Sequence, residues 1–144
     1  MSDQISSIIV QDFEYKEVDL LSIYNNQHLL HLLYNNSCLG CTGRAIPLAY
    51  KFQQLFKWVQ VIGIHSNFNS TRTTEEDIKS IFTLDKLPFP IYLDEMHKVY
   101  DFFKSEGTPQ WILINKEGTL YRSIFGSQSN AENRLYYALE SLME

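Results

Sequence analysis

Apolar residues along this chain fall into two kinds of run, short continuous blocks and stretches spaced three or four apart, and the two kinds alternate. His28-Leu29-Leu30-His31-Leu32-Leu33-Tyr34 is a continuous block bounded by Asn25-Asn26 and Asn35-Asn36, which predicts a strand covered on both faces. After Cys41, the residues Ala45, Leu48, Ala49, Phe52, Leu55 and Phe56 keep the spacing of a helix with one buried side. Pro47 falls inside that pattern and predicts a kink about two turns beyond Cys38. Trp58 to Ile64 reads as a second buried strand.

Thr73 and Glu76 have the spacing of a capping box, ahead of Ile78, Ile81 and Phe82 on a helix predicted to run to about Asp85. Pro88 and Pro90 close that segment. Phe89 to Leu93 predicts a short edge strand, and Asp94 a cap for a helix with Met96, Val99 and Phe103 on one side. Trp111 to Asn115 and Leu120 to Phe125, joined through Lys116-Glu117-Gly118, predict a β-hairpin. Ser129 and Glu132 repeat the box spacing before Leu135, Tyr136, Leu139 and Leu142, the stripe of a C-terminal helix. Parallel strands linked by helices, then a hairpin and a helix, give an α/β domain with a central mixed β-sheet flanked by helices. Without repeats, low-complexity segments or a linker, residues 1–144 are expected to form one domain.

Composition adds limits. The chain is 44% hydrophobic and 20% charged, enough apolar surface for one well-buried core. A net charge of −5 argues against general attraction to nucleic-acid phosphates or anionic lipid, so neither is an expected partner. Met1-Ser2-Asp3-Gln4 carries no basic segment, and Ile8-Ile9-Val10 is too short for a leader core or a membrane span, which sets a cytoplasmic expectation. The sequons at Asn35 and Asn69 read as chance in that setting.

The chemistry concentrates at Cys38-Leu39-Gly40-Cys41, the only two cysteines, at a predicted strand-to-helix turn. Such turns, at the carboxyl ends of parallel strands, commonly present reactive groups to solvent. Thiols two residues apart at a helix start can bridge across one turn. Helix N-terminal amides favour an anion, so Cys38 is expected to attack as the thiolate and Cys41 to resolve. By spacing alone the pair is also compatible with half a zinc site or two inert buried thiols. With four histidines and no third cysteine, no metal or other cofactor is expected.

Taken together, the strand Leu29 to Tyr34, the Cys38–Cys41 turn, Pro47, the strand Val59 to Ile64, Gly107-Thr108-Pro109 and the Asn115 to Gly118 turn resemble the thioredoxin-like redoxins. That family includes the TlpA-type thiol-disulfide oxidoreductases and the AhpC/TSA-related domains. The resemblance covers most of the chain and implies a thioredoxin-like fold and thiol-disulfide exchange. It also implies that Pro109 is cis and faces the cysteines, with Thr108 offering its backbone to a bound peptide, whereas an ordinary proline bond would be trans. Ser37, Leu39, Gly40, Thr108 and Pro109 are then the expected substrate contacts. The expected partners are a disulfide-containing protein or a low-molecular-weight thiol, and a second reductant that resets the pair.

Three positions depart from the family pattern. Ser37 stands where Trp is usual, Leu39-Gly40 lacks the Pro or His of better-known members, and Leu32 replaces a buried acid. The absence of an intervening His sets an expected potential of roughly −200 to −270 mV. His31 could transfer a proton and Arg44 could favour a thiolate, but a packed histidine and a solvated helix charge are the preferred readings. His65, at the end of the second strand, is expected to be structural, and Glu75-Glu76-Asp77 to complement a helix start. Two rivals remain. A peroxiredoxin-like peroxidase would place Thr or Ser and Pro where Asn35 and His31 stand; the other is a non-catalytic redox-sensing binding module.

Overall fold

The structure, a computed structural model, describes residues 4–83 and 86–143. Its strands are β1 (Ile9–Gln11), β2 (Glu17–Asp19), β3 (His28–Tyr34), β4 (Val59–Ser66), β5 (Ile91–Asp94), β6 (Gln110–Ile114) and β7 (Leu120–Phe125). The helices are α1 (Leu20–Ile23), α2 (Ile46–Leu55), α3 (Glu75–Lys79), α4 (Lys98–Phe102) and α5 (Ser129–Ser141). The strands form one sheet in the order β2-β1-β5-β4-β3-β6-β7. β3, β4 and β5 run parallel, and β6, β7, β1 and β2 join antiparallel, which makes the sheet mixed as expected. No described helix is long and apolar enough to cross a membrane.

Alternation along the strands divides the core in two. Leu30, Leu32, Tyr34, Val61, Trp111 and Leu113 face one way and pack with Ala49 and Phe52 of α2 and Leu135 and Leu139 of α5. Leu29, Leu33, Ile62, Ile64, Ile112 and Ile114 face the other way, against Leu20 of α1 and Val99 of α4. This explains the unbroken apolar block of β3, every residue of which is buried. Each fully buried leucine there contributes about 1.5–3 kcal/mol of transfer free energy. Gly63 is needed where β4 passes Phe89, because a Cβ would lie 2.9 Å from the Phe89 ring.

The predicted kink at Pro47 takes a different form. Cys41–Ala45 is a π-helical turn closed by the Ile46 amide on the Cys41 carbonyl, and α2 starts afresh with Pro47 in its first turn. The wider turn relieves the clash that a proline makes inside a continuous helix, and a first-turn residue needs no donor. Leu55, assigned to the buried stripe by its spacing, is 50% exposed at the end of α2.

Both capping boxes differ from expectation. Thr74, one residue after Thr73, caps α3: its hydroxyl accepts from the Asp77 amide and Asp77 accepts from the Thr74 amide. Thr73 is drawn inward, its amide donating to Glu95 at 2.9 Å. α3 ends at Lys79, so Ile81 and Phe82, expected on its apolar stripe, lie beyond it; the expected end at Asp85 lies outside the described residues. Ser129 is already helical and does not cap α5, which begins after Gln128 without a side-chain cap.

The expected edge strand is interior. β5 lies between β4 and β1, because residues 9–19 fold back as two short strands that the sequence reading left unassigned. Asp94 does cap α4, but at a distance: its carboxylate accepts from the amides of Val99 and Tyr100 and from the Ser66 hydroxyl. The intervening Met96 and His97 adopt left-handed backbone, φ 69° and 48°, so Met96 points outward rather than joining the apolar stripe. The hairpin of β6 and β7 closes as predicted, with Gly118 at φ 82°.

His31 lies on the α1 and α4 face of the sheet, opposite the face that carries Cys41. That placement removes the proton-transfer reading. Its Nδ1 donates to the Ile112 carbonyl at 3.0 Å, and its Nε2 is buried without a hydrogen-bond partner among the described residues. Burial pushes its pKa down to about 4, against the weaker opposing effect of the Ile112 carbonyl. The folded chain thus refuses a proton that the unfolded chain accepts below about pH 6.5, and stability falls from there as pH drops toward 4. For this one group the loss at pH 5 is about 2 kcal/mol. We expect His31→Leu to lose that much less stability than wild type between neutral pH and pH 5, measured by urea unfolding. Parallel pH profiles for the two proteins would refute the assignment.

Candidate active site

The site forms where β3 ends beside the end of β4. Asn35, the first residue past β3, is buried and fastens the turn in three ways. Its side-chain amide donates to the Ser66 carbonyl at 2.8 Å, its side-chain oxygen accepts from the Ser37 amide at 2.8 Å, and its carbonyl accepts from the Cys38 amide at 3.0 Å. This is an Asx turn used to aim a nucleophile. Asn36 extends the hold, donating through its backbone to His65 Nε2 at 3.2 Å and through its side chain to the Asp77 carbonyl at 2.8 Å. The sequence reading gave neither asparagine a role in aiming Cys38, although Asn35-Asn36-Ser37 directly after an apolar block is the composition such turns use.

Helical turns start at Leu39, and the Cys38 carbonyl accepts from the Thr42 amide at 3.1 Å. Cys38 therefore stands at the helix mouth, partly exposed, while Cys41 is fully buried one turn on. Both are free thiols. The Cys41 amide donates to Cys38 Sγ at 3.2 Å, and the Cys38 thiol donates to the Thr108 carbonyl at 3.4 Å. A backbone donor aimed at a sulfur supports negative charge on it. Cys41 experiences the reverse: burial first, then its hydrogen bond with Cys38, push its thiol up to about 12.

The Thr108–Pro109 bond is cis, as the family resemblance implied. The cis-proline loop is fixed from below, since the Pro109 carbonyl accepts from the Gly126 amide at 2.9 Å. Gly40 lies beneath it: a Cβ there would stand 3.4 Å from Ser127 Oγ and 3.9 Å from Pro109 Cδ. Ser127, buried and missed by sequence reasoning, thus lies against Gly40, between the two cysteines in the chain. Arg44 does not reach the thiols; its Nε donates to the Ser127 carbonyl at 3.1 Å and ties the helix start to that loop.

The departures noted in the sequence have visible consequences. Ser37 is exposed and offers no flat apolar surface, but Leu39 is 86% exposed directly beside Cys38. Leu32 is fully buried in the same apolar cluster as Cys41. The groups that perturb Cys41 are Cys38, Asn35 and Thr108, none of them a carboxylate. Among the described residues no three His, Cys, Asp or Glu side chains gather as a metal-binding set.

No known family profile matches the chain, and no curated protein sequence matches it. Solved structures do. A crystal structure of a thioredoxin-like superfamily protein superposes with a TM-score of 0.81 at 24% identity, covering 97% of this chain and 96% of that one. The chain has a thioredoxin-like fold. A thiol-disulfide isomerase from Corynebacterium glutamicum superposes at 0.78 with 21% identity, covering 98% of this chain and 96% of that one. The thioredoxin domain of a thiol-disulfide oxidoreductase from Bacteroides vulgatus gives 0.71 at 19% identity, covering 95% and 96%. Within this thioredoxin-like frame the Cys38 thiol contacts the Cys41 amide and the Thr108 carbonyl, and the turn before it is tied to the end of β4.

The unequal environments of the thiols predict unequal reactivity. A thiol raised to about 12 leaves on the order of one thiolate in ten thousand at pH 8. We expect iodoacetamide at pH 8 to label Cys38 in the folded, reduced protein at least about tenfold faster than Cys41. Peptide mass mapping measures this directly, and equal labelling would contradict the buried position of Cys41.

Proposed function

We propose that the protein is a thiol-disulfide oxidoreductase in which Cys38 is the nucleophile and Cys41 the resolving thiol. The observation that carries this reading is the placement of Cys38 Sγ between the Cys41 amide and the Thr108 carbonyl, with a buried second thiol one turn behind. The fold shared with structures named as thiol-disulfide isomerase and oxidoreductase supports it.

In the proposed cycle, the Cys38 thiolate attacks one sulfur of a substrate disulfide, that bond breaks, and the departing sulfur leaves as a thiolate that takes up a proton. Cys41 then loses its proton and attacks Cys38 Sγ, expelling the second substrate sulfur and closing the Cys38–Cys41 disulfide. Two electrons pass to the substrate and the pair is oxidised. No carboxylate is among the groups acting on Cys41, so the proton acceptor in this step is the newly released substrate thiolate or water. A separate dithiol reductant restores the pair.

Ser37, Leu39, Gly40, Thr108 and Pro109 are the proposed substrate contacts, with Leu39 supplying the apolar surface and the Thr108 carbonyl freed once Cys38 ionises. The substrate class is a disulfide-containing protein or a low-molecular-weight disulfide. The proposed setting is the cytoplasm, where a lone cysteine pair of this spacing is catalytic more often than structural. The peroxidase alternative is not favoured, since Asn35 is consumed in the turn and His31 faces the far side of the sheet.

Cys38→Ser should abolish insulin-disulfide reduction supported by dithiothreitol, and Cys41→Ser should accumulate mixed disulfides visible on non-reducing gels. Full turnover by Cys41→Ser would invert the roles assigned here. No acceleration over dithiothreitol alone by the wild type would remove the enzymatic reading and leave the redox-sensing one.

A further inference from the structure

The histidine at the end of β4 has no part in the chemistry described so far, yet it makes a hydrogen bond to the turn that aims the nucleophile. His65 is 4% exposed, packed edge-on against the Tyr34 ring at 5.2 Å, and its Nε2 accepts the Asn36 amide at 3.2 Å, two residues before Cys38. An accepting Nε2 requires that the ring be neutral with its hydrogen on Nδ1. That Nδ1 is buried without a hydrogen-bond partner among the described residues. Beside this contact lies a cavity of about 240 Å³, lined among others by Asn36, Ser37, His65, Arg72 and Asp77, so the turn has open space into which to move.

We propose that His65 is a positioning residue for Cys38: neutral, it anchors the Asn36 amide beside the nucleophile; protonated, it presents a donor to a donor and gives up that anchor, leaving the turn to the bonds of Asn35 and of the Asn36 side chain. The inference rests on the proposed exchange activity, which it deepens by adding an acid-sensitive control of that same site. Protonation at Nε2 would place two N–H groups head to head at 3.2 Å, and the contact cannot survive in that form.

The charged groups around His65 oppose one another. Burial lowers its pKa most, while the Glu95 carboxylate after β5, the ring's contact with its own backbone and the Asp77 carboxylate on α3 raise it to a lesser extent. Arg72 lines the same cavity from the β4–α3 loop, and the Tyr34 hydroxyl, raised by burial, stays neutral. Asp77 is itself held below the usual carboxylate range by the Thr74 amide and hydroxyl, so it keeps its negative charge while His65 titrates. The neutral ring therefore prevails at neutral pH, and release belongs below the ordinary histidine range.

The test compares wild type, His65→Gln and His65→Leu. Glutamine offers an acceptor oxygen near the Nε2 position but does not titrate; leucine leaves the Asn36 amide without an acceptor. For kcat/KM of insulin-disulfide reduction, we expect His65→Gln to stay within about twofold of wild type at neutral pH and His65→Leu to fall about tenfold. Below pH 6.5 the wild type should lose activity more steeply than one proton accounts for, and both variants should show a single ionisation. In parallel, the amide resonance of Asn36 in the reduced protein, followed by nitrogen–proton correlation spectra without substrate, should inflect with pH in wild type and not in His65→Gln.

A wild-type acid limb unchanged in His65→Gln, or an Asn36 resonance that does not titrate, would overturn the proposal. If no protein in the series exchanged disulfides, the redox reading would fall while the Asn36 resonance still decided the latch. Should His65→Leu fail to fold, the His65→Gln profile and the resonance decide it alone.

Discussion

The arrangement depends on the parallel pairing of β3 with β4, seven residues in register from His28 opposite Val59 to Tyr34 opposite His65, buried on both faces. Because the side-chain repeat of a strand is two, a slip of one residue would turn Leu30, Leu32 and Tyr34 away from α2 and α5 and bring Leu29, His31 and Leu33 to meet them. The register thus fixes where β3 stops relative to β4. Asn35 meets the Ser66 carbonyl and Asn36 meets His65 only because the two strands end level.

From that level edge the asymmetry of the two thiols follows. A helix that starts at Leu39 and packs its apolar side on the sheet carries Cys41 into the core and leaves Cys38 at the rim. The low-polarity interior disfavours a charged Cys41, while Cys38 keeps a backbone donor and solvent access. The same burial that stabilises the fold therefore sorts the pair into an attacking and a waiting thiol. The π turn at Cys41–Ala45 belongs to this logic, since it lets Pro47 begin α2 without distorting the turn that holds the cysteines.

The cis-proline loop and the β7–α5 loop close the other side of the site. A Cβ at Gly40 would come into van der Waals contact with Ser127 and Pro109, and Arg44 ties the helix start to the Ser127 carbonyl. No two of these segments are neighbours in the chain. Their meeting reflects the antiparallel addition of β6 to β3, which brings residue 110 opposite Leu33 and so sets Pro109 beside the end of β3.

Local chemistry was legible without coordinates. The apolar block of β3, the existence of the helices α2 and α5 and the hairpin glycine each express a preference that a few consecutive residues impose, and the structure has all of them. What failed were features settled by contacts distant in sequence. Thr73 lost the cap of α3 to Thr74 because Glu95 captured its amide, and β5 became interior because residues 9–19 folded back upon it. His65 read as an ordinary histidine because nothing near it in sequence shows that its ring would meet the amide of Asn36. Short-range pattern fixes which elements form and which residues can react; which atoms finally touch is decided by strand register and order, set by burial summed over the whole sheet.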